Sequence, residues 1–145
     1  MCGVLVYFNQ AGVSEDVFRL MLKDLSHRGP DASGNLQLES GKLLLGHSRL
    51  KIIDFSNHAN QPYLSKCGRY SLVFNGEIYN FNELKKQLKN LWQWETNSDT
   101  EVLLAAWITW GQSCVEKLNG MFAFAVYDYE KRTISFVRDR FGIKP

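Results

Sequence analysis

The apolar residues of the chain recur at two spacings, one typical of strands and one typical of helices. Residues 3–8 form a short run of β-branched and aromatic side chains that a turn-prone segment closes, which predicts a buried strand. Ser14 has the character of a helix N-cap, and Pro30 marks the place where regular structure must stop. We expect a helix between them that buries a stripe of residues at helical spacing: Val17, Leu20, Met21 and Leu25.

Two pairs of apolar segments have the arrangement of β-hairpins. The first pair, residues 36–39 and 42–47, flanks the turn residues Ser40 and Gly41. The second pair, residues 121–127 and 133–137, flanks a polar segment near the end of the chain. Both pairs predict antiparallel strands.

A further strand and two further helices follow from the middle of the sequence. Residues 69–74 alternate well enough for a strand that runs into Asn75 and Gly76. Helix starts are predicted where a capping residue precedes a glutamate by three positions, at Asn80 with Glu83 and at Ser98 with Glu101. The second of these helices is apolar through Val102, Leu103, Ala106, Trp107 and Trp110, and Gly111 interrupts it. Hairpins with helices grouped between them favour an α+β fold over alternating βαβ units.

Composition supports one globular domain over residues 1–145. Hydrophobic residues at 45% and charged residues at 22% are close to the averages for folded soluble proteins, so a disordered chain is excluded. The net charge of +2 comes from both signs spread along the chain, which argues against a nucleic-acid partner. No apolar run reaches membrane-spanning length, so we expect no membrane partner and a cytoplasmic location.

The most distinctive candidate for chemistry is Cys2. If Met1 is removed, this one residue carries both a thiol and a free α-amine, and an amine with a pKa near about 8 can accept the thiol proton. The alternative is an ordinary small buried cysteine at a strand start. The other cysteines, Cys67 and Cys114, are widely spaced and favour neither disulfides nor a metal site.

Four other residues could serve a site, and each has a structural alternative. Asn75 and Gly76 offer an amide donor and an accessible backbone N–H, as an oxyanion hole needs, but Asn-Gly is also a hairpin turn. Arg49 could bind a carboxylate through two parallel hydrogen bonds, or form a surface ion pair. Asp99 could bind an ammonium group, or complement a helix dipole.

Histidine spacing indicates no metal site, and no glycine-rich phosphate loop is present. Seven longer motifs lie along the chain: MCG at residues 1–3, RGPD at 28–31, HSRLKIID at 47–54, FNGEIYN at 74–80, SDTE at 98–101, GMFAFAVYD at 120–128 and RDRFGIKP at 138–145. In this order, and over the whole chain, they resemble the class II glutamine amidotransferase domain of asparagine synthetases.

The resemblance implies an N-terminal-nucleophile hydrolase fold, a four-layer αββα sandwich, that hydrolyses glutamine to glutamate and ammonia. Cys2 is then the nucleophile, and Asn75 with the Gly76 N–H holds the oxyanion. Glutamine is held by Arg49 at its α-carboxylate and by Asp99 at its α-ammonium group. Pocket residues implied in the same way are Leu50, Ile52, Ile53 and Glu77.

The resemblance also implies a C-terminal synthetase domain that uses ATP and Mg²⁺ and receives the ammonia, so no cofactor is expected in residues 1–145. We expect that domain to be absent here and the glutaminase domain to be incomplete at its C-terminal side; a homodimer is a further implied partner. Asparagine formation from aspartate is the expected reaction. The alternatives are amidation of a sugar acid or a secondary metabolite, a catalytically silent regulatory domain, and a general amide hydrolase.

Overall fold

A computed structural model describes all 145 residues and contains seven strands and four helices. The strands are β1 (Gly3–Phe8), β2 (Ala32–Leu38), β3 (Leu43–Arg49), β4 (Tyr63–Leu64), β5 (Tyr70–Ile78), β6 (Gly120–Asp128) and β7 (Thr133–Arg138). The helices are α1 (Glu15–Lys23), α2 (Phe81–Gln87), α3 (Asp99–Trp110) and α4 (Cys114–Lys117).

The strands form two antiparallel sheets. The first sheet has the order β1-β3-β2, and the second has the order β4-β5-β6-β7. Both predicted hairpins are confirmed, because β2 pairs with β3 and β6 pairs with β7. The β2–β3 turn uses left-handed backbone at three successive residues, Glu39, Ser40 and Gly41. Neighbouring strands therefore pair in the antiparallel manner typical of an α+β fold.

The two sheets face each other across an apolar layer, and helices cover their outer faces. The inter-sheet layer consists of Leu38, Leu43, Leu45, Val73, Ala125 and Tyr127. Helices α2 and α3 pack on the second sheet through a larger cluster that includes Leu72, Phe74, Leu84, Leu103 and Phe124. Helix α1 contacts β3 from the opposite side of the first sheet. The predicted four-layer αββα sandwich is confirmed.

The predicted buried face of α1 was wrong at Val17 and Leu20, whereas Met21 and Leu25 are half-buried. Phe18 and Leu22 are fully buried, at 0% and 3% exposure, whereas Val17 and Leu20 are 46% and 63% exposed. The space above β3 decides the rotation of the helix, because a Cβ atom added at Gly46 would lie 3.0 Å from the Phe18 ring and 3.2 Å from Leu22. The helix is therefore positioned by a glycine in the neighbouring sheet. The spacing of apolar residues within the helix itself does not predict this contact.

Strand β1 has the predicted bounds, but it is not a buried strand. Gly3 is its one buried residue, residues 4–7 are half-buried, and Phe8 is 65% exposed. The reason is that β1 lies at an edge of the three-stranded sheet, where only one neighbour covers it.

The two predicted capping boxes have different outcomes. Ser98 caps α3 by accepting a hydrogen bond from the Glu101 N–H at 3.3 Å, as expected, although the Glu101 carboxylate does not return to Ser98. Asn80 makes no side-chain cap; it donates to the Lys117 carbonyl and accepts from the Asn119 N–H, both at 2.9 Å. Its side chain joins the start of α2 to the segment before β6.

Residues Asn75 and Gly76 lie inside a strand and form no turn. Strand β5 continues to Ile78, and Asn75 and Gly76 pair with Ala123 and Phe122 of β6. The hairpin-turn alternative for these two residues was therefore wrong. At the other predicted break, α3 ends at Trp110, and Gly111 follows with a φ of 60° that favours glycine.

The corrected face of α1 predicts unequal effects of two identical substitutions. Leu22→Ala should lower the free energy of unfolding by about 2–5 kcal/mol, because it leaves a cavity against β3. Leu20→Ala is the matched control and should change stability by less than about 0.5 kcal/mol, because the side chain is mostly exposed. Denaturant unfolding of both variants measures the difference, and equal losses would contradict the observed helix rotation.

Candidate functional site

One pocket at the ends of β1, β3, β5 and α3 contains every candidate site residue. The nine residues singled out from the sequence, which come from four separate segments of the chain, all line it: Cys2, Arg49, Leu50, Ile52, Ile53, Asn75, Gly76, Glu77 and Asp99. The strands and the helix thus bring together residues that are up to 97 positions apart, counting from Cys2 to Asp99.

Cys2 is half-buried and is held through its own backbone and by the residue after β3. The Arg28 Nε donates to the Cys2 carbonyl at 3.1 Å. The Leu50 N–H donates to the Cys2 Sγ at 3.4 Å, and the thiol can donate in turn to the Leu50 carbonyl at 3.7 Å. These contacts place the sulfur against the backbone of Leu50 at the end of β3.

The RGPD segment, residues 28–31, supports this arrangement through contacts that were not predicted from the sequence. Gly29 passes so close to β3 that an added Cβ would lie 2.3 Å from the Ser48 carbonyl oxygen. The Asp31 carboxylate accepts a hydrogen bond from the Lys51 N–H at 2.8 Å. Together with Arg28, these residues fix the two chain segments that carry Cys2 and Arg49.

Arg49 is buried, and the loop that follows it engages part of its guanidinium. Nη1 donates to the Ser56 carbonyl and to Asn60 Oδ1, each at 2.7 Å, and Nη2 donates to the Asp54 carbonyl. Since a guanidinium has further N–H groups on Nε and Nη2, it can still bind a carboxylate from the pocket. The surface ion-pair alternative for Arg49 is excluded, because no carboxylate forms a salt bridge with it.

Asp99 is the first residue of α3 and is only 6% exposed. One carboxylate oxygen accepts from the Ile78 N–H at 3.1 Å, which fixes the side chain against the end of β5. Burial, aided by the nearby negative charge of Glu77, raises the pKa of Asp99 to about 6, although backbone hydrogen bonds oppose the shift. A buried carboxylate without a cationic partner is suited to bind one from a ligand.

The backbone of β5 directs the Gly76 N–H away from β6. Phe74 donates its N–H to the Gln61 side chain at 2.6 Å, and Ile78 donates its N–H to Asp99. These two N–H groups point away from β6, and Gly76 lies midway between them in the same strand. Its N–H points the same way, because alternate residues of a strand share a direction.

The partner of Gly76 agrees with this direction. Phe122 of β6, which lies opposite Gly76, uses its own N–H and carbonyl toward Asp139. The Gly76 N–H therefore faces the pocket that the residue lines, beside the buried side chain of Asn75. Two donors thus lie on neighbouring residues of one rigid strand.

The pocket also includes residues that were not singled out from the sequence. These are Met1, Asp54, Gln61, Phe74, Ser98, Thr100, Met121 and Lys144. Lys144 is 2% exposed, and its Nζ contacts the Met1 Sδ at 2.6 Å. The Asp139 carboxylate, which accepts the backbone N–H groups of Ile143 and Lys144, turns this segment toward the pocket.

The three histidines lie where structural or surface roles were predicted. His27 and His58 are exposed. His47 is fully buried, and its Nε2 lies 3.1 Å from the Phe74 carbonyl oxygen. Burial lowers the pKa of His47 to about 4, so the imidazole is neutral at physiological pH.

Asn75 also borders a second, apolar cavity between the two sheets. That cavity is lined by residues of β1, β6 and β7, among them Val4, Val6, Ala123, Ala125, Phe136 and Val137. Asn75 of β5 thus lines both cavities. No helix of the structure has both the length and the apolar character that crossing a membrane requires.

Comparison with known proteins identifies relatives along the whole chain. Asparagine synthetase (glutamine-hydrolysing) 3 of Bacillus subtilis strain 168 is 42% identical, with all of this chain and 24% of the relative covered. The amidase chry2 of Gibberella zeae is 34% identical over 99% of this chain and 23% of its own length. A putative asparagine synthetase (glutamine-hydrolysing) of Methanocaldococcus jannaschii is 36% identical over 100% of this chain and 31% of its own length. The chain thus spans about a quarter to a third of these relatives.

A solved structure shares the fold. The glutamine phosphoribosylpyrophosphate amidotransferase of Bacillus subtilis superposes with a TM-score of 0.82 at 21% identity, over 100% of this chain and 38% of that one. In sequence, the glutamine amidotransferase domain family matches residues 1–145. The fold and the sequence thus agree, and the chain that forms this pocket belongs to the glutamine amidotransferase domain family.

Proposed function

We propose that this protein hydrolyses the side-chain amide of glutamine to glutamate and ammonia, with Cys2 as the nucleophile. The observation that carries the proposal is the meeting of a thiol, two strand-borne N–H donors, a buried arginine and a buried carboxylate in one pocket. A general amide hydrolase has no use for both Arg49 and Asp99. The pair suits a substrate with one carboxylate and one ammonium group.

In this proposal the two ends of the amino-acid backbone are bound separately. The free N–H groups of Arg49 hold the α-carboxylate of glutamine, and Asp99 holds the α-ammonium group. Leu50, Ile52, Ile53 and Glu77 line the space between them. The side-chain amide of glutamine then extends toward Cys2.

Catalysis follows from the groups around the amide carbon. The Cys2 thiolate attacks that carbon, and the oxyanion that forms accepts hydrogen bonds from Asn75 and from the Gly76 N–H. The tetrahedral intermediate collapses when the nitrogen takes up a proton and leaves as ammonia, which gives a glutamyl thioester. Water attacks the thioester, releases glutamate and restores the thiol.

The base in this scheme is the α-amine of Cys2, which becomes available when Met1 is removed. With Met1 attached, the Cys2 nitrogen is a peptide amide without basic character. Met1 also lines the pocket, where its sulfur contacts Lys144, so it occupies space that glutamine needs. We therefore expect the active form to begin at Cys2.

We further propose that the ammonia serves ATP-dependent amidation by a C-terminal synthetase domain, to which ATP and Mg²⁺ are assigned. Relatives named as asparagine synthetases favour aspartate as the acceptor. A sugar acid or a secondary metabolite is the alternative acceptor that the family resemblance implies. We assign the release of ammonia to the second cavity, because Asn75 lines both cavities.

Replacing the nucleophile tests the proposal. Cys2→Ala should abolish glutamate release from glutamine and, in the full-length protein, leave amidation with free ammonia intact, because only the covalent step is lost. Cys67→Ala, at an exposed cysteine, is the matched control and should keep full activity. Glutamate release from the Cys2→Ala variant at the wild-type rate would refute Cys2 as the nucleophile.

The oxyanion donor has a separate prediction. Asn75→Ala should lower kcat for glutamine by about 10² to 10³, the usual cost of one oxyanion-hole donor, with a smaller change in KM. Steady-state kinetics measure both constants. A variant with unchanged kcat would assign Asn75 to packing between the sheets.

The raised pKa of Asp99 predicts a pH-dependent affinity for glutamine. A carboxyl with a pKa of about 6 is protonated below that pH and loses its attraction for an ammonium group. Calorimetry on the inactive Cys2→Ala protein should show that Kd rises by up to about tenfold per unit as the pH falls through this range. When Asp99→Asn is added to the Cys2→Ala protein, glutamine should bind weakly at every pH. If the Kd of the Cys2→Ala protein with Asp99 intact did not depend on pH, the ammonium site would lie elsewhere.

A further inference from the structure

Strand β5 lacks a complete neighbour on the side opposite β6. Strand β4 pairs only with Leu72 and Ser71, so the pairing on that side stops before Phe74. The N–H and carbonyl of Phe74 both point to this side, because neither is used toward β6. Phe74 directly precedes Asn75, so the freedom of its peptide groups bears on the proposed oxyanion donors.

Two buried side chains take the place of the missing strand. Gln61 Oε1 accepts the Phe74 N–H at 2.6 Å, and His47 Nε2 lies 3.1 Å from the Phe74 carbonyl oxygen. His47 is 0% exposed and Gln61 is 6% exposed, and the loss of a buried hydrogen-bond partner is costly. One residue of β5 is thus held from both of its backbone groups by side chains from other segments.

The hydrogen bond from His47 has a defined direction. A carbonyl oxygen can only accept, so Nε2 carries the hydrogen, and the neutral ring leaves Nδ1 as a lone pair. Nδ1 is buried and has no partner. The imidazole therefore makes one hydrogen bond only, and that bond is to the strand of the oxyanion pair.

Gln61 also connects this strand to the helix that carries Asp99. Its Nε2 donates to Thr100 Oγ1 at 3.3 Å, one residue beyond Asp99. The same amide thus fixes the distance between the strand of Asn75 and the start of α3. A shift of Gln61 would displace the two ends of the bound substrate relative to each other.

We propose that His47 and Gln61 are positioning residues that hold β5 so that Asn75 and the Gly76 N–H meet the oxyanion. This inference rests on the proposed glutamine hydrolysis and assigns no direct contact with the substrate to His47. Its expected signature is a loss in the transition state, because the oxyanion exists only there. Binding of ground-state glutamine through Arg49 and Asp99 should change little when His47 is replaced.

The test compares two replacements of His47 of similar size. His47→Met removes the donor, whereas His47→Gln retains an N–H in the position of Nε2. His47→Met should lower kcat by about ten- to 100-fold, the range expected when reacting groups are slightly misplaced, with KM within about twofold of wild type. His47→Gln should recover most of kcat, and His58→Met, at an exposed histidine, should match wild type.

The second readout uses the γ-aldehyde analogue of glutamine. The thiol of Cys2 adds across the aldehyde C=O, with a new S–C bond and no leaving group, and the tetrahedral product places its oxygen in the oxyanion hole. His47→Met should lose affinity for the aldehyde by the same factor as kcat, while its affinity for glutamate is retained. If His47→Met does not fold, Gln61→Met is measured in its place. Gln61→Met should show the same loss in kcat and in aldehyde affinity, whereas His47→Gln should not.

Three outcomes would overturn the inference. The first is that the tested Met variant keeps kcat and aldehyde affinity within about twofold of wild type. The second is an equal loss of kcat in His47→Gln and His47→Met, and the third is an effect on KM alone. Failure of the proposed function looks different. In that case the wild-type protein itself would not bind the aldehyde more tightly than glutamine. The Cys2→Ala variant would release glutamate at the wild-type rate.

Discussion

The close approach of β5 and β6 at Gly76 is the constraint on which the pocket depends. A Cβ atom added at Gly76 would lie 2.3 Å from the Met121 carbonyl oxygen and 2.7 Å from the Phe122 Cα, so only glycine allows this spacing. The pairing fixes which residues of β5 face β6 and which face away. It therefore determines that the Gly76 N–H points into the pocket. A one-residue slip would turn Asn75 toward the helices and remove both donors from Cys2.

The charged groups of the pocket are also held by a few residues that each contact two segments of the chain. Asp54 accepts from Arg49 through its carbonyl and from the Asn97 N–H through its carboxylate at 2.8 Å. Asn97 lies two residues before Asp99. One residue of the loop thus connects the proposed carboxylate site to the proposed ammonium site. Glu101 anchors the segment before α3 in a similar way, by accepting from Trp92 and Thr96.

Much of the fold could be predicted from the sequence, because strand alternation and turn residues are local signals. The bounds of β1 and both hairpins follow from such signals. The buried face of α1 does not, since the space above Gly46 selects Phe18 and Leu22 over Leu20. The same limit applied to Asn75 and Gly76, where one dipeptide suits a turn or a strand and only pairing with β6 decides.

The family resemblance supplied the roles of the site residues and added the remaining pocket residues, and the fold brings all of them together. Residue chemistry had already singled out five candidates, Cys2, Arg49, Asn75, Gly76 and Asp99. Local patterns alone favoured the structural alternative for each of them. The positions of Gln61 and His47 had no local signal, because their bonds to Phe74 span 13 and 27 positions of the chain. Contacts of this kind depend on the sheet arrangement and are visible only in three dimensions.

The most direct test of the account is the covalent intermediate itself. The purified active protein is mixed with glutamine, quenched with acid during turnover, and mapped by peptide mass spectrometry. We predict an N-terminal peptide that begins at Cys2 and carries one glutamyl group on the thiol, absent when glutamine is omitted. A fully active sample whose N-terminal peptide still begins at Met1, or an acyl group on another residue, would contradict it.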